Sequence, residues 1–251
     1  MRGESATEII DFEMSSEPQT LAAMKFDPAR ASEYEQQSRI ALAGYEACHE
    51  LSACMLAAAL GSGTAAQVLV AGAGGTAQEI LNIGTLEPHW SFTAVDPSAP
   101  MLDLAKSRFE ARGFANRVHV HLGYVEDLPS QSRFDAATLI GVLHHLPGDA
   151  AKISLLTSIA ARLKSDAPFI LACNHYAYAS EPLLLKAWAE RWRMAGATRD
   201  EVDVKLGKIQ QGADPPRSEE AVADLLTESG FRRPKRFFSS LFWGAWIASR
   251  L

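Results

Sequence analysis

Cysteine is scarce in this chain. Cys48, Cys54 and Cys173 are the only three, and no two share a C-x-x-C spacing, which argues against a disulfide framework and a cysteine-built zinc site and fits buried thiols in a reducing compartment. Long uninterrupted apolar runs are missing as well. The most apolar stretch, residues 41–60, is broken by Glu46, His49 and Glu50, so it reads as a buried helix and not as a membrane span. Residues 1–16 carry several carboxylates and no apolar core of signal-peptide length, which makes the cytoplasm the expected compartment. Positive charge is in deficit, with 24 Lys and Arg against 30 Asp and Glu and a formal net charge of −6. That balance argues against nucleic acid as a partner. The one dense basic run, Arg232-Arg233-Pro234-Lys235-Arg236, reads as a solvated turn, with contact to RNA phosphates as the alternative. His119 and His121 alternate in an apolar strand, but no third ligand accompanies them, and no metal is expected.

What is present is an ordinary globular composition in a chain of 251 residues, enough for one α/β domain with an insertion. Residues 1–20 are polar and acidic and are expected to form a mobile tail. Residues 21–64 read as an N-terminal helical cap in which Asp27-Pro28 opens the first helix and Gly61-Ser62-Gly63 closes the second. From residue 65 to 251 apolar strands alternate with amphipathic helices, the pattern of a mostly parallel sheet covered on both faces. Strands are expected at 67–72, 90–95, 117–122, 134–140 and 167–173, with helices at 75–84, 99–112 and 150–163. Ser98 is placed to cap the second of these helices. A polar and aromatic segment at about 180–215, with Trp188 and Trp192 on one face, interrupts the alternation as a helical insertion; a last helix from Ser218 and two strands near 231–237 and 241–249 follow.

The sequence Val68-Leu69-Val70-Ala71-Gly72-Ala73-Gly74-Gly75-Thr76 runs from an apolar strand into glycines and then into a helix. Glycine tolerates positive φ there and lets backbone N–H groups approach a ligand. A second strand ends in Asp96, 24 residues after Gly72, near the spacing at which a carboxylate reaches a ribose hydroxyl pair. His144 and His145 follow the fourth strand and His175 follows the fifth, all on the edge where open α/β sheets bind ligands. His145 and His175 are the candidates for catalysis on an acceptor proton, packing being the alternative for each.

Together with Leu122-Gly123-Tyr124-Val125-Glu126-Asp127-Leu128-Pro129, the run from Phe134 through Leu143-His144-His145-Leu146, and Leu163-Lys164-Ser165-Asp166-Ala167-Pro168, this order resembles the class I methyltransferase family over residues 67–250. The resemblance implies a Rossmann-like sheet with an antiparallel C-terminal strand and S-adenosylmethionine as cofactor. By that resemblance Gly72, Ala73 and Gly74 carry the methionine portion, Asp96 accepts from the ribose hydroxyls, Pro97, Met101, Tyr124 and Val125 flank the adenine, and Ile140 and Gly141 lie under the sulfonium. It further implies methyl transfer to a small-molecule acceptor. A cofactor-binding protein without transfer activity and a tRNA-modifying enzyme are the alternatives, and a homodimer is compatible with the sequence. The chain departs from the family pattern at Val70, where an acid is usual, at Thr76, where a further glycine is usual, and at Tyr124, where aspartate is frequent. A narrower similarity, in Gly44-Tyr45 and the insertion, is to carboxy-S-adenosylmethionine synthase, and it implies a cofactor contact for Tyr45. Ile140 falls where that relative has an asparagine, and its cofactor-holding arginine falls near Leu206, so its architecture is expected here and its activity is not.

Overall fold

A computed structural model describes residues 31–251; the acidic tail over 1–20 and the Asp27-Pro28 helix start lie outside the described residues. Seven strands form one sheet: β1 (Gln67–Ala71), β2 (Ser91–Asp96), β3 (Val118–Leu122), β4 (Ala136–Ile140), β5 (Pro168–Asn174), β6 (Lys235–Ser240) and β7 (Trp243–Ser249). Their order is β3-β2-β1-β4-β5-β7-β6. The first five are mutually parallel, and β7 runs antiparallel between β5 and β6. β5 is buried along its whole length and β1 from Val68 onward, as strands covered by helices on both faces must be. β6 starts later than the apolar pattern suggests: Pro234 has no N–H to donate, and Phe231 makes only an isolated bridge to Arg250.

The helices are α1 (Ala31–Ala41), α2 (Tyr45–Leu60), α3 (Gln78–Leu86), α4 (Ala99–Ala111), α5 (Gly148–Ala160), α6 (Pro182–Met194), α7 (Arg199–Gly212) and α8 (Glu219–Glu228). Gly44, at φ 82°, separates α1 from α2. One face of the sheet packs against Leu56 of α2, Ile80 of α3 and Phe109 of α4; the other packs against Leu156 of α5 and Leu226 of α8. The insertion contains two α-helices, because Gly196 at φ 98° ends α6, and a capping box of Thr198 and Glu201 starts α7. Ser98 holds the N-cap position of α4, but its hydroxyl forms no cap bond and has no partner. Among the described residues no helix is long and apolar enough to cross a membrane.

The insertion is fastened to the sheet edge by one buried cation. Lys152 of α5 is 1% exposed and donates to Asp214 Oδ2 at 2.9 Å. The same oxygen accepts Gly148 N–H at 2.7 Å, and Asp214 N–H donates to the carbonyl of His144 at 2.8 Å. Asp214→Ala would leave that cation the Gly148 carbonyl at 3.2 Å and the more distant Asp149, and the loss, moderated by these and because Asp214 is half exposed, is expected to be about 1–3 kcal/mol in urea unfolding. Lys152→Met, which removes the charge together with its need for a partner, should cost less. The reverse order of the two would show that the tether is unimportant.

Candidate active site

β1 and β4 are neighbours, while β2 continues outward from β1 in the other direction, so a crevice opens at the carboxyl ends of β1 and β4. The glycine turn fills its lip. Gly72 and Ala73 N–H both donate to the Val95 carbonyl, at 2.8 and 3.1 Å, and Gly75 N–H donates to the Met101 carbonyl at 2.9 Å. Gly72 and Gly75 have φ of 71° and 87°, which a side chain would resist. Asp96 closes the turn from β2: Oδ2 accepts Gly74 N–H at 3.0 Å, and Oδ1 accepts Ser98 N–H at 2.9 Å. Burial pushes the Asp96 carboxyl above its usual range, against the pull of those two donors. Each carboxylate oxygen keeps a further lone pair for a ligand hydroxyl.

From the turn a cavity of about 1090 Å³ extends beneath α1 and the insertion. Its far wall is aromatic, with Trp188, Trp192, Trp243 and Tyr178. The C-terminal carbonyls of α1 form its roof and are held by side chains from far along the chain. Trp188 Nε1 and Trp243 Nε1 donate to Ala41 O at 2.8 and 3.1 Å, and Arg191 donates to Ile40 O and Arg39 O at 2.7 and 2.8 Å. Asn174, at the end of β5, donates from Nδ2 to the Tyr178 hydroxyl at 2.8 Å, while its buried Oδ1 has no partner. Burial pushes the Tyr178 hydroxyl up to about 12.

Of the residues singled out in the sequence, Tyr45, Gly72, Gly74, Ile140, Gly141 and His145 line this cavity. The Tyr45 hydroxyl lies 2.5 Å from Thr76 Oγ1, joining α2 to the turn. Ala73, Met101 and Val125 are buried. Asp96, Pro97 and Tyr124 stand beside the cavity at the ends of β2 and β3, where Gly123 N–H donates to the Asp96 carbonyl at 3.1 Å. His175 is not brought to the cavity. It is fully buried on the opposite side of β5, with Nδ1 3.1 Å from Phe242 O and its ring edge-on to Trp246, and burial pushes its pKa down to about 4. His144 lines the cavity beside His145, packs edge-on against Trp243, and is approached at Nδ1 by Asn174 N–H at 3.4 Å.

Two lining residues escaped the sequence reading. His49 of α2 and Glu79 of α3 are 3% and 5% exposed, with His49 Nε2 3.7 Å from Glu79 Oε2. Burial pushes Glu79 up to about 7 and His49 down to about 4. Among the described residues, no group of three His, Cys, Asp or Glu could hold a metal ion.

The fold is a Rossmann-like α/β sheet with an antiparallel strand near its C-terminus. A family model described as a methyltransferase domain matches residues 69–169, from within β1 to the start of β5. Among solved structures, an O-methyltransferase family 2 protein from Planctomyces limnophilus in complex with apigenin is 13% identical, with a TM-score of 0.64 over 95% of this chain and 63% of that one. Human N-acetylserotonin methyltransferase in complex with S-adenosylmethionine is 17% identical, with a TM-score of 0.63 over 95% of this chain and 61% of that one. The O-methyltransferase NcsB1 from neocarzinostatin biosynthesis, in complex with S-adenosylmethionine and 2-hydroxy-5-methyl naphthoic acid, is 16% identical, with a TM-score of 0.61 over 92% and 61% of the two chains. At these identities the likeness is one of fold. The chain spans 59–66% of the length of such neighbours. No curated protein sequence matches it.

Proposed function

We propose that this chain transfers a methyl group from S-adenosylmethionine to a small-molecule acceptor held in the cavity beneath α1 and the insertion. One observation carries the reading: a strand-to-helix glycine turn is pinned to a carboxylate at the end of the next strand and opens directly into a cavity large enough for cofactor and acceptor together. Glycine at 74 is what lets the carboxylate close on the turn, since a Cβ there would fall 2.5 Å from Met101 Cβ and 2.7 Å from Asp96 Oδ2. Cofactor-bearing neighbours on the same fold support the assignment.

In this reading Gly72, Ala73, Gly74 and Tyr45 hold the methionine end, Asp96 takes the ribose hydroxyls, and Pro97, Met101, Tyr124 and Val125 face the adenine. Ile140 and Gly141 form the floor below the sulfur. When bound, the sulfonium supplies an electrophilic methyl group for in-line displacement, which asks of the protein mainly placement and exclusion of water. The aromatic wall favours a planar acceptor with an ionisable hydroxyl or amine. His145, exposed at the cavity edge, is placed to take that proton. The carboxy-S-adenosylmethionine chemistry is set aside because no arginine of the insertion lines the cavity: Leu206 is packed among apolar neighbours with Trp192, and the adjacent Lys205 lies over the Trp192 ring. RNA as acceptor is disfavoured because Arg232, Arg233 and Arg236 each pair with a carboxylate of this chain, Asp166, Glu220 and Glu219.

Calorimetric titration with S-adenosylmethionine and S-adenosylhomocysteine tests the reading, and micromolar binding of both is expected. Absence of binding by either would end it. Once an acceptor is in hand, His145→Ala should lower kcat by about 10²-fold with cofactor affinity intact. His175→Ala should lower Tm and leave kcat per folded molecule unchanged, because that ring is buried away from the cavity; the opposite pattern would exchange their roles.

A further inference from the structure

Glu79 and His49 line the cavity beside the turn and have no part in the scheme above. Their arrangement poses a problem of hydrogen bonding. His49 Nδ1 lies 2.8 Å from the Tyr45 carbonyl oxygen. A carbonyl oxygen can only accept, so Nδ1 carries the ring proton. Burial keeps the ring neutral, and Nε2 is then a bare lone pair. It points at Glu79 Oε2 across 3.7 Å, beyond hydrogen-bond range. Two acceptors therefore stand side by side on the cavity wall with nothing donated between them, Glu79 being reached by its own backbone N–H, and a donor-rich cation entering from the cavity would serve both.

We propose that Glu79 and His49 form the seat of the α-ammonium group of the cofactor's methionine portion, with the carboxylate as counter-charge and the imidazole Nε2 as second acceptor. This rests on the methyltransferase reading and assigns one end of the same ligand. Position supports it. Glu79 lies in the first turn of the helix that leaves the glycine turn, and the pair shares the cavity wall with Gly74 and Thr76, whereas the tryptophans belong to the insertion and to β7. The local charge supports it too. The ionisable groups about Glu79 are Asp96 at the end of β2, which pushes it up, and, on α2, His49 and Cys48, whose thiol burial and Glu79 push up to about 12. None of them is a cation. Arg39 of α1 lies over the Tyr45 ring and helps hold His49 neutral, but it is paired with Glu35 and Glu46. The resemblance leads one to expect an acid two residues before Gly72, but Val70 is fully buried in an apolar cluster. Glu79 brings a carboxylate to the cavity beside the turn from α3.

The test compares two ligands on the full chain by calorimetry. S-adenosylhomocysteine has the ammonium group; 5′-methylthioadenosine shares its adenosine and sulfur but has none. Glu79→Gln is expected to weaken S-adenosylhomocysteine about tenfold or more and to leave methylthioadenosine within about twofold. In the unaltered protein, affinity for S-adenosylhomocysteine should fall as pH drops from about 8 to 5.5, by up to about tenfold per unit once Glu79 takes up its proton, with methylthioadenosine showing no such slope. Equal weakening of both ligands by Glu79→Gln, unchanged affinity for both, or parallel pH profiles would overturn the seat while leaving the cofactor site in place. Failure of the unaltered protein to bind either ligand would instead overturn the methyltransferase reading and the seat with it. Should Glu79→Gln not fold, the two pH profiles decide the question alone.

Discussion

Asp96→Ala is expected to reduce affinity for S-adenosylhomocysteine by about 10²- to 10⁴-fold and to leave the protein folded. Two ribose hydroxyls donating to one carboxylate make two charge-assisted bonds of about 1.5–3 kcal/mol each, or about 3–6 kcal/mol together. The substitution also frees Gly74 N–H and Ser98 N–H, which now donate to the two carboxylate oxygens, so the turn loses its fixed shape along with its acceptor. The fold should tolerate the change because desolvation already works against the ionised carboxylate; what is lost in two backbone bonds is partly returned by no longer burying the charge. Asp96→Asn, which keeps one acceptor oxygen and no charge, should fall between. Calorimetry beside a thermal melt separates binding from folding, and unaltered affinity in the alanine variant would remove Asp96 from the ribose role.

Gly74→Ala should be nearly as severe for binding and worse for stability. The added methyl group would meet Met101 Cβ and Asp96 Oδ2 well inside contact distance, and neither can retreat cheaply. Met101 is buried in the first turn of α4, and Asp96 is held by two N–H donors. Relief must come from the turn itself, at about 1–3 kcal/mol of overpacking, with a loss of cofactor affinity of about 100-fold or more as the carboxylate is pushed aside. Gly207→Ala is the control. That glycine is inside α7 with nothing beyond its own helix backbone and chain neighbours within 4 Å of the added carbon, and alanine there should stabilise by up to about 1 kcal/mol. Similar behaviour of the two variants would mean that crowding at the turn is not what matters.

The elements that declare themselves in the sequence are those whose cause is local. β1, the glycine turn and β2 could be read because an apolar run, residues free to take positive φ and a terminal carboxylate each leave a mark within a few positions. The two-helix form of the insertion was signalled by Gly196, but that glycine gained its meaning only beside the Thr198–Glu201 box. His175 shows where local reading stops. It follows β5 at the ligand-binding edge, yet side chains alternate at the end of a strand, so Asn174 enters the cavity and His175 turns to Trp246. His49 and Glu79 were invisible for another reason. Thirty residues apart, each looks ordinary on its own helix, and only the packing of α2 on α3 makes them a pair.

The order in which the chain is made bears on the roof of the cavity. α1 leaves the ribosome long before the side chains that hold its final carbonyls, since Trp188, Arg191 and Trp243 follow Ala41, Ile40 and Ala41 by 147, 151 and 202 residues. Contacts of such separation form late. During synthesis the first helix described must therefore wait, its carbonyls turned to water, until nearly the last strand has emerged, and the ligand chamber can be enclosed only after the sheet is complete.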